Sequence, residues 1–576
     1  MIRSPRPRLA LAVVAFALAT LATAATAAAT TAFASPAATT AFASPVATTA
    51  AATPARNDSV TLAAQTLAGS SGPGNVLAST DNSPITANDT PTLVQDPANA
   101  ADLVIVNRVD RPGFAAVIEY STNSGHSWHA SALQAPPESS YQAALSVVPH
   151  TLYAPEALFD AKGTLYVVFV TLSGPGNQPD GVWVESSTDG GQSFRPPTAV
   201  AGPESYEVSA TIDQASGKLF VSWLQAKPFL CVLCFPATGY PIVVSDSTDG
   251  GQTWSTPLRV SDPGLARIGA PTIALDALGN PYVLYYDYEG DTLDWGNLPG
   301  HYRGTFTLYL ARSTNGGATY GPGELVNAAI FPTRRFIPYL APRPGLAIGE
   351  SGIIAVAWPD ARSGTPQVLL ETSTDGGAAW TAPVVISKDG GQGQFQRLPA
   401  VGIAPNGRID VGYYGGSGST TDFFVSSSVD GGRTFSEPTQ VSTKPSNLVV
   451  GPPGSPYFSA QADFGSKNSL VSLDHQVLVA WTDTRNGAVF DGRQQIYFAS
   501  LPAAAPAGAG GPGALLLGVV VAGGFLALVG LGLLIAAIRS RRGKRSRVRL
   551  AGPPPLPAPS DLPPPPPPLT PSPGQV

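Results

Sequence analysis

One phrase, Ser-Thr-Asp-Gly-Gly-Ala-Ala-Trp at residues 373–380, is written six times along the chain and constrains its fold more than any other feature. The other copies begin at Ser121, Ser187, Ser247, Ser313 and Ser428, and close on Trp128, Phe194, Trp254, Tyr320 and Phe435. The third position is Asn123, Asp189, Asp249, Asn315, Asp375 or Asp430. Such a side chain accepts backbone N–H bonds inside a turn, and the glycines beside it take positive φ without steric cost. Between flanking strands this is a hairpin signal. The closing aromatic re-enters the sheet, where it can plug the space between neighbouring sheets. Copies about 55–66 residues apart mean a radial or linear repeat.

A strand–turn–strand phrase precedes each copy. Residues 155–163 lead into 165–169, 271–276 into 282–286, and 399–403 into 409–413. A third strand such as 367–371 then runs into the turn, and a fourth such as 382–386 leaves it. Four strands per repeat, closed in a ring, predict an all-β fold, the β-propeller. The two-strand phrase occurs seven times, the last around 457–481, and a third strand follows at 495–499. That last unit has no Asp turn and no fourth strand. An N-terminal strand at 60–64 can supply the missing edge, so seven blades are expected in preference to six.

Composition narrows the function. Charged residues are only 12% of the 576, the formal net charge is −6, and Gly and Pro number 61 and 58. No basic surplus in the repeats invites nucleic acid. The only cysteines are Cys231 and Cys234, too few for a multi-cysteine zinc site. Outside the cytoplasm they are expected to form a local disulfide, with redox chemistry or metal ligation as the alternative. His126 and His129 flank Trp128 without further ligands, so no zinc is expected there.

The two ends are not propeller sequence. Residues 1–34 read as an export signal, with Arg3, Arg6 and Arg8 before an apolar run and small-x-small cleavage options after it. Residues 35–58 are an Ala/Thr/Ser/Pro spacer. The propeller is expected over 59–500 and a linker over 501–513. Residues 514–538 carry no charge and reach roughly 37 Å as a helix, enough to cross a bilayer. Seven basic residues between Arg539 and Arg549 place the tail, 539–576, in the cytoplasm. Its prolines at 563–568 predict polyproline II, either a ligand for a proline-binding domain or a spacer.

The repeated phrase resembles the Asp boxes (BNR repeats) of the sialidase superfamily, over about residues 59–500. The resemblance implies a propeller whose boxes are structural and lie away from the active site. It also implies either an enzyme or a non-enzymatic receptor, since both carry Asp boxes. Sialidases hold the substrate carboxylate with an arginine triad, and use an Asp acid/base and a Tyr nucleophile paired with a Glu. Their x-Arg-x-Pro motif before the opening strand corresponds here to Asn88-Asp89-Thr90-Pro91, which has no arginine. Arg397-Leu398-Pro399 has the motif's shape but sits in the sixth repeat. The catalytic candidates that remain are Asp287 or Glu289 as acid/base and Tyr413, Tyr414 or Tyr457 as nucleophile.

Strand direction separates the faces. The hairpin between strands three and four lies opposite the segments that precede strand one and follow strand two, so ligands are expected on that second face. Asp360 with Arg362 and Asp483 with Arg485 follow strand two there, as ligand-binding groups or as ion pairs between blades. Arg267, Arg343 and Arg397 come before strand one and are expected to converge on one carboxylate. The loop 287–304, with Glu289, Asp291, Asp294, Trp295, His301 and Arg303, can cradle a sugar or a Ca²⁺ ion. No other cofactor is implied. The expectation is a membrane-anchored surface propeller that recognises glycan or protein without cleaving it. Its rivals are a tethered sialidase-like glycoside hydrolase and a structural cell-envelope protein.

Overall fold

The computed structural model describes residues 74–503, apart from 82, 137–150, 174–176, 227–238, 291–303, 332–341, 388–396, 417 and 453–461. Among the described residues every regular element is a β-strand. The strands form seven antiparallel sheets, each ordered from an innermost first strand to an outermost fourth. The first strands are Ala87–Gln95, Thr151–Phe159, Ser205–Ile212, Ile268–Leu275, Gly345–Ile348, Ala400–Ile403 and Ser469–Ser472. Each packs against the next, and the last returns to the first. The result is a seven-bladed propeller. Blade six carries a further short strand, Ser446–Asn447, on its third strand.

The second strands explain why these segments read as near-continuous apolar runs. Leu165–Ser173, Pro281–Asp287, Ile354–Asp360 and Ile409–Gly415 are buried at every position, because both sides of a blade face a neighbour. The core is therefore a set of wedges between blades. One apolar cluster fills each junction: Val168, Val170 and Trp223 join blades two and three, and Leu284, Leu308 and Trp358 join blades four and five.

The six repeated turns seal these wedges from one face. In each, the Ser hydroxyl donates to the Asp or Asn Oδ1 and accepts the N–H of the residue four positions on, as Ser373 does at 2.8 and 2.9 Å. The same Oδ1 accepts a second N–H, that of Ala379 at 2.9 Å. Gly376 and Gly377 take φ of 75° and 93°, whereas in the first copy Ser124 adopts 58° with a side chain present. The closing aromatics enter the junction with the preceding blade, as Trp128 and Phe435 do among buried residues. Thr253 and Thr434 hydroxyls, with backbone N–H groups, pull the Asp249 and Asp430 carboxyls down to about 2.

The ring is closed by the N-terminal segment at Val76–Leu77; residues 60–64, where the closing strand was expected, lie outside the described residues. Val76–Leu77 pairs with Phe498 and Tyr497 and becomes the fourth strand of blade seven. A two-residue strand is too short to show any hydrophobic period, which is why the longer run upstream looked the better candidate.

Three glutamates sit two residues before a turn serine, and each takes a hydrogen bond from the blade before it. Glu119 accepts the Thr80 N–H at 2.9 Å, Glu185 the Gln134 N–H at 3.1 Å, and Glu371 the Asn327 amide at 2.6 Å. Burial pushes all three carboxyls up to about 7. A carboxyl raised in the folded state favours folding while protonated, and that advantage fades as pH climbs from the unfolded value near 4.5 to about 7. The melting temperature is thus expected to be higher at pH 5 than at pH 8. Glu185→Gln, which keeps an acceptor for Gln134, should reduce the slope. A melting temperature that is flat or rising between pH 5 and 8 contradicts this account.

Candidate functional site

The face opposite the turns carries the long connections, including 226–241, 288–305 and 484–494, whose flanking strands end there. The turn face, by contrast, is built from short repeated hairpins. Variable connections on a rigid ring are where binding groups concentrate.

At this face four of the first strands carry irregularities. Thr90, Ala154, Glu207 and Ala270 have φ of 54°, 48°, 51° and 54°, and the pairing with strand two slips around each of them. These are β-bulges, which re-aim the side chains next to them. Glu156, just after the second bulge, receives Arg343 Nη1 at 2.5 Å and Lys467 Nζ at 2.5 Å, with Thr92 Oγ1 at 3.2 Å. Arg343 belongs to blade five, Lys467 to blade seven and Glu156 to blade two, so the cluster bridges the ring. Arg343 also donates to the Val208 carbonyl at 2.6 Å. Burial works against the Glu156 charge, but Lys467 and Arg343 outweigh it and hold the carboxyl below the usual glutamate range. Burial draws the Lys467 amine down to about 8, against the pull of Glu156. Glu207, taking the Ala270 N–H at 2.6 Å, is pushed by burial up to about 7.

A second cluster adjoins the first. Arg108 Nε lies 3.0 Å from Asp89 and 2.7 Å from Asp110, while its Nη1 donates to the Tyr153 hydroxyl at 3.2 Å. Burial raises the Asp89 carboxyl well above its ordinary value, with Arg108 opposing. Thr90 links the two groups, since its hydroxyl donates to Asp89 at 2.7 Å and accepts the Ser466 N–H at 3.0 Å. Among the described residues, no three or more His, Cys, Asp or Glu side chains are placed to hold a metal ion.

The expected site residues meet different fates. Arg343 reaches the axis. Arg397 does not join it on Glu156: its guanidinium donates to the Pro366 carbonyl at 2.9 and 2.6 Å and to the Tyr414 carbonyl at 3.2 Å. Arg267 offers its backbone carbonyl to the Tyr288 N–H. Of the three arginines expected to converge on one carboxylate, Arg343 meets Glu156 together with Lys467.

Asp360 and Asp483 each form a local clamp within their own blade. Asp360 accepts Trp358 Nε1 at 3.1 Å, and both the backbone and the Nε of Arg362 at 2.8 Å. Asp483 treats Trp481 and Arg485 likewise, at 3.0, 2.8 and 2.6 Å. Residues two apart lie on one side of a strand, so Trp-x-Asp stacks indole over carboxylate by register alone. Arg485 goes further, stacking on Tyr497 and binding Asn75 Oδ1 at 2.9 Å.

Tyr414 is a core residue, packed edge-on against Phe423 and Phe464, and its hydroxyl donates to the Thr482 carbonyl at 2.6 Å. Burial raises that hydroxyl well above its ordinary pKa, the reverse of what activates a nucleophile. Tyr413 is buried as well. Asp287 closes strand two of blade four, accepts the Glu289 N–H at 2.9 Å, and is pushed by burial up to about 6. Glu289 accepts the Ala266 N–H at 3.1 Å. Tyr457, Cys231, Cys234, Asp291, Asp294, Trp295, His301 and Arg303 lie outside the described residues, as do the export signal, spacer, 514–538 and the tail. Among the described residues no helix is long and apolar enough to cross a membrane.

Sequence reasoning missed Glu156, Glu207 and Lys467. The one available signal was the proline after Ala154 and Ala270, which recurs at the bulges.

Comparison with known proteins gives distant likenesses. A Hadza microbial sialidase is 14% identical, covering 70% of this chain and 74% of its own, with a TM-score of 0.40. An ulvan lyase, a polysaccharide lyase, is 13% identical, covering 73% and 97%, with a TM-score of 0.43. The intramolecular trans-sialidase of Ruminococcus gnavus is 12% identical, covering 74% and 97%, with a TM-score of 0.37. No protein-family model matches the chain. No curated protein sequence matches it.

Proposed function

We propose that this chain is an exported, membrane-anchored propeller whose loop-bearing face binds an acidic glycan at the ring axis without cleaving it. The observation that carries the reading is the meeting of two cations, Arg343 and Lys467, on the single carboxylate of Glu156. In that triad two cations face one carboxylate, with Glu207, raised by burial to about 7, also within the field of Arg343, and the group sits where water is scarce and charge interactions are strong. Lys467 is the most open member, its side chain 16% exposed. A sugar carboxylate is the complementary partner.

Cleavage would need a nucleophile and a proton donor at the scissile bond. Of the tyrosines that could act first, Tyr413 and Tyr414 are buried, and Tyr457 lies outside the described residues. Asp287, raised to about 6, favours a second reading, a sialidase-like hydrolase, because it can hold a proton near neutral pH. A fluorogenic sialoside separates the two. No turnover is expected from the purified protein, and turnover lost in Asp287→Asn would establish the hydrolase instead.

Chain direction fits surface display. The last strand, Gln495–Pro502, runs from the loop face to the turn face, so the chain leaves the ring on the turn side. The eleven residues 503–513 span at most about 40 Å before the proposed membrane helix. The turn face then looks toward the bilayer and the glycan face away from it. The Pro-rich tail lies in the cytoplasm, available to a proline-binding domain.

A further inference from the structure

We propose that the turn 488–493, between strands two and three of blade seven, is a second subsite that takes the next sugars of an acidic polysaccharide. The ligand would thus be a polymer lying across the seam between blades seven and one, and not a single terminal sugar. The proposal rests on the axis reading above.

The turn presents apolar side chains that it cannot fold inward. Val489 and Phe490 are 66% and 89% exposed at its tip. Behind them the backbone is locked: the Asp491 carboxylate accepts the Ala488 and Arg493 N–H groups at 2.7 and 3.0 Å, and the Gly492 N–H reaches the Ala488 carbonyl at 2.8 Å. Gln494 then fastens the base, its N–H to the Thr86 carbonyl at 3.1 Å and its amide to the Asp463 carbonyl at 2.6 Å. A turn held this way has already lost the freedom that binding would otherwise cost it.

Its surroundings suit an anionic sugar. Arg493 Nη2 bonds the Asp81 carbonyl at 3.2 Å, and Arg111 lies against Gly492. Burial opposes the charge of Asp491, but its two N–H bonds, Arg493 and Arg111 outweigh that and keep it ionised. An aromatic ring stacks on the apolar face of a sugar, while arginine forks take carboxylate or sulfate groups. The base of the turn adjoins the axis groups, because Gln494 donates to the backbone carbonyl of Asp463, whose charge bears on Asp89 and Arg108. An anionic bilayer could accept a Phe flanked by arginines too, but the chain leaves the ring on the opposite face.

The test uses the full chain in detergent and two probes, a heparin decasaccharide and the methyl glycoside of glucuronic acid. Phe490→Ser, at a side chain that supports no packing, is expected to weaken the decasaccharide by about five- to tenfold and leave the monosaccharide unchanged. Equal decasaccharide affinity in variant and parent would overturn the second subsite while leaving the axis site standing. Failure of the parent to bind either probe would sink the axis reading, and the subsite with it. If Phe490→Ser instead abolishes sedimentation with phosphatidylserine vesicles but spares the decasaccharide, the tip is a membrane contact and the proposal is wrong.

Discussion

Deleting residues 56–80 is expected to make the propeller aggregate. The segment supplies the outer strand of blade seven, and without it Gln495–Pro502 presents a bare edge, the usual template for pairing with another chain. More than the strand is lost. Asn75 accepts the Thr443 N–H at 2.7 Å and donates to the Val441 carbonyl at 2.9 Å, which ties blade six to the closure. Ser79 Oγ receives the Ile496 N–H at 2.7 Å, and Thr80 binds Glu119 in blade one. Four contacts around one short strand therefore join three blades. Size-exclusion chromatography and a melting curve check the expectation. A truncated protein that remains monomeric with its parent's melting temperature would mean the ring closes in some other way.

The second large effect belongs to Asp483. Its side chain is buried and takes three donors, from the Trp481 indole, the Arg485 backbone and the Arg485 guanidinium. Replacing it with Ala leaves a buried indole N–H without its acceptor and takes from the buried guanidinium its carboxylate partner, so Asp483→Ala is expected to cost about 3–5 kcal/mol. Arg485 would remain held by Asn75, Thr443 and the Tyr497 ring, which keeps the damage local to the junction of blades six and seven. Denaturant unfolding measures the loss. A change below about 1 kcal/mol would mean that the clamp is surface decoration.

How much of this was legible depends on how local the chemistry is. The six turns could be read from the sequence because the Ser and Asp bonds that shape them fall within five residues, from Ser373 to Gly377 and from Asp375 to Ala379. The blades followed from their spacing. The axis site could not be read that way. Glu156 is separated from Arg343 by 187 residues and from Lys467 by 311, so only the closed ring brings them together. The Asp–Arg pairs of blades five and seven show the reverse. Their chemistry looks like ligand binding, yet two-residue spacing on a strand folds each pair onto its own tryptophan. Tyr414 shows the same limit, since nothing in its neighbours' identities announces that its hydroxyl ends at the Thr482 carbonyl of the next blade.

The central claim is that Arg343 and Lys467 form an anion site at the ring axis. Calorimetric titration of the intact protein with a sialylated trisaccharide, beside the same sugar lacking its acidic residue, tests it most directly. The account predicts binding of the acidic sugar alone, lost by tenfold or more in Lys467→Met, as removal of one charge-assisted bond of about 1.5–3 kcal/mol implies. Equal affinity for both sugars, or an undiminished affinity in Lys467→Met, would contradict it.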